Sequence, residues 1–327
     1  MELFAVEYSS LSVSDLLKMV INYYNLSPDF EIAFLKRGFN DTYLIYSSTN
    51  KYILRIYKYN WRSKESITNE VNLLNYLSQN NINVANPIID KKGDCIQSIN
   101  APEGNRHAVL FHFANGNQVR KLTLEQSKLL GIETGKIHVL TQNRVYDECA
   151  INYDISVQFE NTISTVSPLL IHHKEQLDYL LKLKEEFVTL FNTINPTEIG
   201  IGICHGDLQA ENFHIEGNKI TFFDFDFFGS GALIYDIGVF LWYDQKNKTP
   251  EIINAFLKGY HTQRKLMDTE LKLIPYFSTL RALFQMTVFC KTNNGKQLPL
   301  WPAQQVADFI NKVEQWHTKT ITKKLFF

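Results

Sequence analysis

The segment 203–238 carries three side chains whose types and spacing suit chemistry at a phosphate group. Asp207 stands in a His-Gly-Asp-Leu sequence, Asn212 follows five residues later, and Asp224 comes seventeen residues after Asp207. Phosphoryl transfer needs a carboxylate that takes the proton of an acceptor hydroxyl, and hard oxygen ligands for the Mg²⁺ that bridges the phosphates. This spacing therefore predicts Asp207 as the base, with Asn212 and Asp224 as metal ligands.

A hairpin is expected to bring these oxygen-bearing side chains together. Two short apolar runs flank the turn-forming sequence Glu-Gly-Asn at 216–218 within the stretch 213–224. Because the strands of a hairpin run in opposite directions, the return strand carries Asp224 back beside Asn212.

An upstream strand supplies a cation that suits the phosphates of a nucleotide. In the run 51–58, strand alternation places Ile53 and Arg55 on one face, so Arg55 can contact phosphates while Ile53 covers an adenine ring. Glu70 lies fifteen residues after Arg55, at the edge of the buried face of a helix, and is expected to form an ion pair with it. The turn at 37–41, which contains Gly38 and Asn40, can close over phosphates with backbone N–H groups.

The elements that must position these residues change in type along the chain. Ser12 or Ser14 can cap a first helix, and Thr123 with Gln126 forms a capping box for a later one. A period of about 3.6 residues predicts helices over 11–25, 63–79, about 123–140 and 174–192, and several helices within 232–320. Alternating apolar residues predict strands over 31–37, 42–48, 51–58, near 86–99 and over 107–113. The pattern predicts an α+β fold, with a small antiparallel sheet followed by a mostly helical region.

Composition limits the class of protein. The 327 residues suit two domains or lobes at about 150 residues each. With 45% hydrophobic and 20% charged residues, the chain is not expected to be disordered, and the net charge of −1 gives no sign of a nucleic-acid or anionic-membrane partner. The four Cys are scattered, which predicts reduced thiols and no thiolate metal site. The sequence has neither 18 consecutive apolar residues nor a signal-peptide pattern, so a cytoplasmic protein is expected.

The ordered set of these segments resembles a known family. The chain looks like the aminoglycoside phosphotransferase and choline kinase superfamily, nearest to the subgroup of bacterial stress-response kinase and type II homoserine kinase. The resemblance runs from about residue 31 to 243 and rests on the segments LKRGFNDTYLI, YILRIYKYN, NEVNLLNYLSQNNINVANPI, AVLFHFANGN, ETGKIH, HGDLQAEN and FFDFDFFGSGALIYDIG. It implies a two-lobed kinase-like fold, with a nucleotide-binding lobe over 1–113 and a helical catalytic and acceptor-binding lobe over 114–327.

The resemblance also implies roles for single residues. The cofactors would be ATP and Mg²⁺, with Asp207 as the base. Arg55 would contact the phosphates, and Glu70 would fix Arg55. Phe111 would be the gatekeeper, and the carbonyl of His112 and the N–H of Ala114 would meet the adenine edge. These residues would bind the nucleotide together with Gly38, Asn40 and Ile53, which the turn and the strand alternation already indicate. Asn212 and Asp224 would hold the metal, and Asp236 would brace the backbone of the Asp207 loop.

Some positions depart from the family pattern. Arg55 stands where the family often has Lys, and the two are not equivalent toward phosphate. The sequence Gln209-Ala210 replaces the common His-Pro of the catalytic loop, and Asp226 replaces the Gly of the protein-kinase Asp-Phe-Gly motif. Of the glycine-rich loop of protein kinases only Gly38 is present.

Several residues keep two interpretations. Asp226 is either a further metal or substrate ligand or a structural carboxylate. Trp242 and Tyr243 either line an acceptor pocket, where aromatic faces can hold an alkylammonium group, or belong to the core. His205 and His138 are expected to be structural.

Four functions fit the pattern to different degrees. The favoured one is an ATP-dependent and Mg²⁺-dependent phosphotransferase whose acceptor is a small molecule with a hydroxyl, such as an amino alcohol, a homoserine-like amino acid, a sugar or an aminoglycoside. The alternatives are a Ser/Thr protein kinase of the stress-response type and a catalytically inactive nucleotide-binding module. A haloacid-dehalogenase phosphatase would use Asp224 and Asp226, but Phe-Phe follows them instead of Gly-Thr. The sequence predicts neither the acceptor nor the oligomeric state.

Overall fold

The computed structural model describes residues 4–293 and 302–322. These residues form two compact units. The N-terminal unit extends to Gly116 and takes in Thr221–Phe223, while the C-terminal unit comprises Asn117–Ile220 and the chain from Asp224 onward.

An antiparallel five-stranded sheet organises the N-terminal unit. Its strands lie in the order β1-β2-β3-β5-β4. The elements are α1 (Val13–Tyr24), β1 (Glu31–Arg37), β2 (Asp41–Tyr46), β3 (Lys51–Ile56), α2 (Lys64–Gln79), β4 (Ile96–Ala101) and β5 (Gly104–His112). The three strands predicted between 31 and 58 and both helices are confirmed, whereas the strand predicted near 86–99 begins only at Ile96.

The two faces of strand β3 have different environments. Leu54 and Ile56 pack into a core with Leu16 and Val20 of α1. The opposite face carries Arg55, which is bonded to α2, so the sheet lies between the two helices. The alternation of the β3 sequence therefore assigns one face to the core and leaves the other for polar contacts.

Helices dominate the C-terminal unit. Its elements are α3 (Leu124–Thr141), β6 (Ile151–Asn152), α4 (Ile155–Val166), α5 (Lys174–Asn192), β7 (Ile201–Cys204), β8 (Phe213–Glu216), β9 (Lys219–Phe222), β10 (Gly229–Ala232), α6 (Ile234–Trp242), α7 (Pro250–Gln263), α8 (Asp268–Asn293) and α9 (Ala303–Thr322). Strand β10 pairs with β7 in antiparallel and with β6 in parallel orientation, and β8 and β9 form the predicted hairpin. The predicted helices α3 and α5 are confirmed, and so is the capping box of α3.

One long helix of this unit is unusually apolar. Within the described part of the chain, one helical segment, Asp268–Lys291, is long and apolar enough to cross a membrane. Its most apolar stretch of 18 residues is 78% buried, which is typical of a core helix. The segment contains no run of 18 consecutive apolar residues, because Arg281 and several polar residues interrupt it.

Candidate active site

The loop that carries Asp207 begins where β7 ends. Gly206 has a positive φ of 82°, and a Cβ atom there would lie 2.0 Å from the carbonyl oxygen of Phe227. The loop therefore needs glycine at this position. Asp236, near the start of α6, accepts hydrogen bonds from the backbone N–H groups of His205 and Gly206, both at 2.8 Å. This is the bracing contact that the family resemblance implies.

A buried chain of hydrogen bonds supports Asp236. Arg264 donates to the hydroxyl of Tyr260 at 3.3 Å, and that hydroxyl lies 2.7 Å from Nδ1 of His138. On the other side of the imidazole ring, Nε2 of His138 donates to the carboxylate of Asp236 at 3.0 Å. Burial alone would raise the pKa of Asp236, but the hydrogen bonds from His138 and from the loop N–H groups lower it below its ordinary value. Asp236 therefore stays ionised and keeps the loop in place.

Both carboxylate oxygens of Asp207 are held by side chains. Oδ1 accepts a hydrogen bond from Nη2 of Arg281 at 2.5 Å. Oδ2 accepts one from Nδ2 of Asn212 at 2.6 Å and one from Nε2 of Gln209 at 2.8 Å. Asp207 is only 6% exposed, and its backbone N–H donates to Nδ1 of His205 at 3.3 Å. The carboxylate is thus fixed in its plane by an ion pair on one oxygen and two amides on the other.

The contacts of Asn212 determine which way its amide points. Nδ2 lies 2.9 Å from the carbonyl oxygen of Asp207 and 2.6 Å from its carboxylate. Both of these groups are acceptors, so the nitrogen must face them, and Oδ1 of Asn212 points away. An amide oxygen is a suitable ligand for a hard divalent cation.

Asp224 lies at the open end of the hairpin, the end at which Asn212 also lies. Asn212 directly precedes β8, and Asp224 follows β9 by two residues. Its backbone is left-handed, with φ 64° and ψ 59°, which is uncommon for a residue other than glycine. Asp226 follows in a 3-10 turn, Phe225–Phe227, and is 3% exposed, whereas Asp224 is half-buried. Asp224 is thus the more accessible of the two carboxylates.

Among the described residues, no group of three or more His, Cys, Asp or Glu side chains forms a metal cage. Mg²⁺ commonly binds through one or two carboxylates together with substrate phosphates. Asn212 and Asp224 fit such a partial ligand set, and they do not fit a closed structural metal site.

Trp242 and Tyr243 point to different surroundings. The hydroxyl of Tyr243 accepts a hydrogen bond from Nη2 of Arg281 at 2.6 Å, the same nitrogen that contacts Asp207. Burial raises the pKa of Tyr243, so its hydroxyl keeps its proton near neutral pH. Trp242 instead donates to Gln285 at 2.7 Å. Of the two aromatic residues, only Tyr243 is joined to Asp207 through Arg281.

The predicted ion pair of the N-terminal unit is present. Nη1 of Arg55 donates to Glu70 at 2.9 Å, and the hydroxyl of Tyr57 donates to the other carboxylate oxygen at 2.7 Å. Arg55 and Glu70 are 9% and 2% exposed, so this is not an ordinary surface ion pair. Glu70 therefore fixes the direction of the Arg55 guanidinium.

Ile53 and Phe111 lie on the same face of the sheet as Arg55. Ile53 is paired directly with Phe111, and the Arg55 guanidinium lies 5.2 Å from the centre of the Phe111 ring. His112 ends β5, and Ala114 follows it and is buried. Ile53, Arg55 and Phe111 thus form one continuous patch.

Gly38 and Asn40 lie in the turn between β1 and β2. The N–H of Gly38 donates to the carbonyl of Asn40 at 3.0 Å, and the Asn40 side chain accepts from the N–H of Lys58 at 3.2 Å. A Cβ atom at Gly38 would meet nothing within 4 Å, so packing does not require glycine there.

No role was predicted for Arg281 from the sequence. Its contact with Asp207 joins residues 74 positions apart, and no local motif surrounds it. A signal was nevertheless present, because Arg281 is the single charged residue in the stretch 273–290 of α8. A charge in the middle of an apolar helix is rarely buried without a partner, and here the partner is Asp207.

Comparison with known proteins gives a consistent assignment. A family model described as phosphotransferase enzyme family matches residues 31–272. An uncharacterized protein of Synechocystis is 31% identical over 78% of this chain and 72% of its own length. Amicoumacin kinase of Bacillus subtilis is 27% identical over 79% of each chain, and homoserine kinase of Agrobacterium fabrum is 22% identical over 75% and 74%.

Solved structures share the fold. An amicoumacin kinase in complex with AMP-PNP and Ca²⁺ superposes with a TM-score of 0.73 at 23% identity, covering 92% of this chain and 93% of that one. A microcompartment-associated aminopropanol kinase gives 0.71 at 19% identity, covering 96% and 99%. The expected α+β kinase-like fold, with a small antiparallel sheet and a larger helical region, is confirmed.

Proposed function

The chain belongs to the phosphotransferase enzyme family and acts on hydroxyl groups, and on that premise we propose that it transfers the γ-phosphate of ATP, with Mg²⁺, to the hydroxyl of a small molecule. The observation that carries this proposal is the arrangement around Asp207. Its carboxylate is buried, ionically paired through one oxygen and held by two amides through the other.

Asp207 is the group that we propose takes the acceptor proton. Oδ2 already accepts two hydrogen bonds, whereas Oδ1 accepts one, from Arg281. A carboxylate oxygen has two lone-pair positions, so Oδ1 is the oxygen that can receive the acceptor hydroxyl. Asp207 would orient that hydroxyl toward the γ-phosphate and accept its proton as the new P–O bond forms, while the bond from the γ-phosphorus to the β-phosphate oxygen breaks and ADP leaves.

Asn212 and Asp224 are the residues that we propose hold the metal. Oδ1 of Asn212 and the carboxylate of Asp224 are hard oxygen ligands, and both residues flank the open end of one hairpin. When bound, Mg²⁺ would neutralise negative charge on the phosphates. Asn212 would then link the base and the metal, because its Nδ2 holds Asp207.

The patch on β3 and β5 suits the nucleotide. Ile53 and Phe111 offer apolar surface for a base, and Arg55 offers a cation for phosphates. Glu70 keeps that cation directed, which is the positioning that phosphoryl transfer depends on. We assign to the backbone of His112 and Ala114 the contacts with the adenine edge, and to the Gly38–Asn40 turn contacts with phosphates.

The relatives support a small-molecule acceptor. Three of them are named for amicoumacin, homoserine and aminopropanol. We therefore favour an amino alcohol, a homoserine-like amino acid, a sugar or an aminoglycoside over a protein acceptor. We place the enzyme in the cytoplasm, where ATP is available.

A screen of acceptors tests the proposal. ADP release is measured with ATP and Mg²⁺ against choline, ethanolamine, aminopropanol, homoserine, methylthioribose, aminoglycosides, amicoumacin and a generic protein acceptor. We expect acceptor-dependent ADP release with a small hydroxylated compound and a phosphate ester as product by mass spectrometry. Phosphorylation of the protein acceptor alone would overturn the small-molecule assignment, and an absence of transfer to every acceptor would overturn the proposal.

A further inference from the structure

Arg281 is a buried cation in a helix that does not need one for packing. Its side chain is 3% exposed, and it lies among the rings of Tyr243 and Phe284, whose centres are 5.1 and 5.2 Å from the guanidinium carbon. Moving a guanidinium out of water is costly, and replacing a whole buried ion pair by apolar side chains of similar size often gives equal or greater stability. The charge is therefore better explained by what it holds than by the stability of the core.

The contacts of Arg281 converge on the proposed catalytic loop. Nη2 donates to Oδ1 of Asp207 at 2.5 Å and to the Tyr243 hydroxyl at 2.6 Å, while Nη1 lies 3.3 Å from the carbonyl oxygen of Gly206. Because the guanidinium is planar, these contacts fix both the distance and the plane in which Oδ1 is held.

Oδ1 is also the oxygen to which we assign the acceptor hydroxyl. One of its lone-pair positions faces Arg281, so the other is left at a fixed direction relative to the guanidinium plane. We infer that Arg281 is a positioning residue for Asp207, with Tyr243 holding Arg281 in turn, and that it acts on the rate of transfer through the orientation of Oδ1. This inference rests on the proposed function.

The inference is tested by Arg281→Met, Arg281→Lys and Arg281→Ala, measured with the acceptor identified in the screen. Misplacing a catalytic group by about 1 Å costs about 10²-fold. We expect kcat of Arg281→Met to fall by about that factor, with the KM for ATP and the Kd for AMP-PNP within about twofold of wild type. Arg281→Lys should retain more activity than Arg281→Met, since it keeps a cation but loses the planar fork.

Chemical rescue separates positioning from folding. Guanidinium ion at millimolar concentration should raise the kcat of Arg281→Ala, whereas an equal concentration of sodium chloride should not. In an Asp207→Asn background, Arg281→Met should cause no further loss of kcat, because both substitutions remove the same function. Thr287 lies on α8 like Arg281, and its hydroxyl forms a buried hydrogen bond with Thr162 of α4. Thr287→Val removes that bond and is the control expected to keep wild-type kcat.

The results of these experiments separate the role of Arg281 from the proposed phosphotransferase function. An Arg281→Met enzyme with wild-type kcat would overturn the inference alone. So would a loss of kcat that guanidinium does not reverse and that accompanies an equal loss of AMP-PNP binding, since that pattern indicates a structural role. A wild-type protein that transfers phosphate to no acceptor would remove the proposed function and this inference together.

Discussion

At the residue scale, the central feature is a carboxylate whose two oxygens are held in different ways. Asp207 meets a cation through Oδ1 and two neutral amides through Oδ2. The amides come from its own loop, whereas the cation comes from α8. The orientation of the base therefore depends on both the local turn and the packing of a distant helix.

Replacing Asp207 by Asn tests the base. We expect kcat to fall by about 10²–10⁴, the usual contribution of acid–base catalysis. The substitution also leaves the Arg281 guanidinium buried without its counter-charge, which costs about 3–5 kcal/mol when one partner of a buried pair is removed. ADP release measures the first effect and urea unfolding the second, with the exposed Asp178→Asn as the matched control.

The double variant Asp207→Asn with Arg281→Met separates the two effects. Removing both charges should recover most of the lost free energy of unfolding, while kcat stays low. A double variant that regained activity along with stability would show that Asp207 acts through the fold and not as the base.

Lys248 gives a pH-dependent prediction. Its Nζ lies 4.2 Å from the centre of the Phe240 ring, and burial lowers its pKa to about 8, against an opposing effect of Asp244. Between pH 8 and the ordinary value of 10.5, the unfolded chain binds more protons than the folded protein, so stability rises with pH in that window. Lys248→Met should therefore have a higher Tm than wild type at pH 7, and this advantage should shrink as the pH approaches 10.5.

Thermal unfolding followed over that pH range measures the difference. The exposed Lys258→Met on α7 is the control and should show a nearly constant difference from wild type. A Lys248→Met advantage that did not depend on pH would mean that burial of the charge is not its cause.

At the scale of elements, the capping box of α3 fixes where a central helix begins. The Thr123 hydroxyl accepts from the N–H of Gln126 at 3.2 Å, and the Gln126 side chain accepts from the N–H of Thr123 at 3.0 Å. Thr123→Ala should lower the free energy of unfolding by about 1 kcal/mol. Thr123→Ser keeps the acceptor and should lose much less; equal losses in urea unfolding would rule out the cap as the cause.

The elements that sequence reasoning identified are those with a strong local signal. Helix α5 (Lys174–Asn192) shows apolar periodicity over 19 residues, and its bounds match the prediction. Strands β7 and β10, with the sequences IGIC and GSGA, were not predicted. They are four residues long, and β10 lacks β-branched residues, so their pairing depends on tertiary contacts that no short window of sequence contains.

The residues of the candidate site show the same difference between local signals and long-range contacts. The spacing of Asp207, Asn212 and Asp224 is local, and the Arg55–Glu70 pair could be predicted from strand and helix periodicity. Arg281 could not be placed beside Asp207, because that contact depends on how α8 packs within the C-terminal unit. A single charge in an apolar helix indicates a buried partner but does not say which one.

At the scale of the whole molecule, nucleotide and metal should stabilise the folded state together. A ligand present at 100 times its Kd adds about 2.7 kcal/mol to the free energy of unfolding. We expect AMP-PNP with Mg²⁺ to raise Tm, and EDTA to remove part of that shift and all transfer activity. Asp224→Asn should lose mainly the part of the Tm increase that depends on Mg²⁺, while the Tm increase of Asp178→Asn should equal that of wild type. If EDTA reduced the Tm shift of Asp224→Asn by as much as that of wild type, the assignment of Asp224 as a metal ligand would be wrong.

The buried chain from Asp236 through His138 and Tyr260 to Arg264 has a consequence for the dynamics of the reactive loop. The amides of His205 and Gly206 are hydrogen-bonded to a carboxylate that is only 1% exposed, and helices α3, α6 and α7 all contribute to holding it. Deuterium should reach these two amides only when those helices separate, so their exchange should be as slow as that of the most protected amides of the core. Connecting loops usually open by local fluctuations. This loop should instead open only when the helical unit itself unfolds.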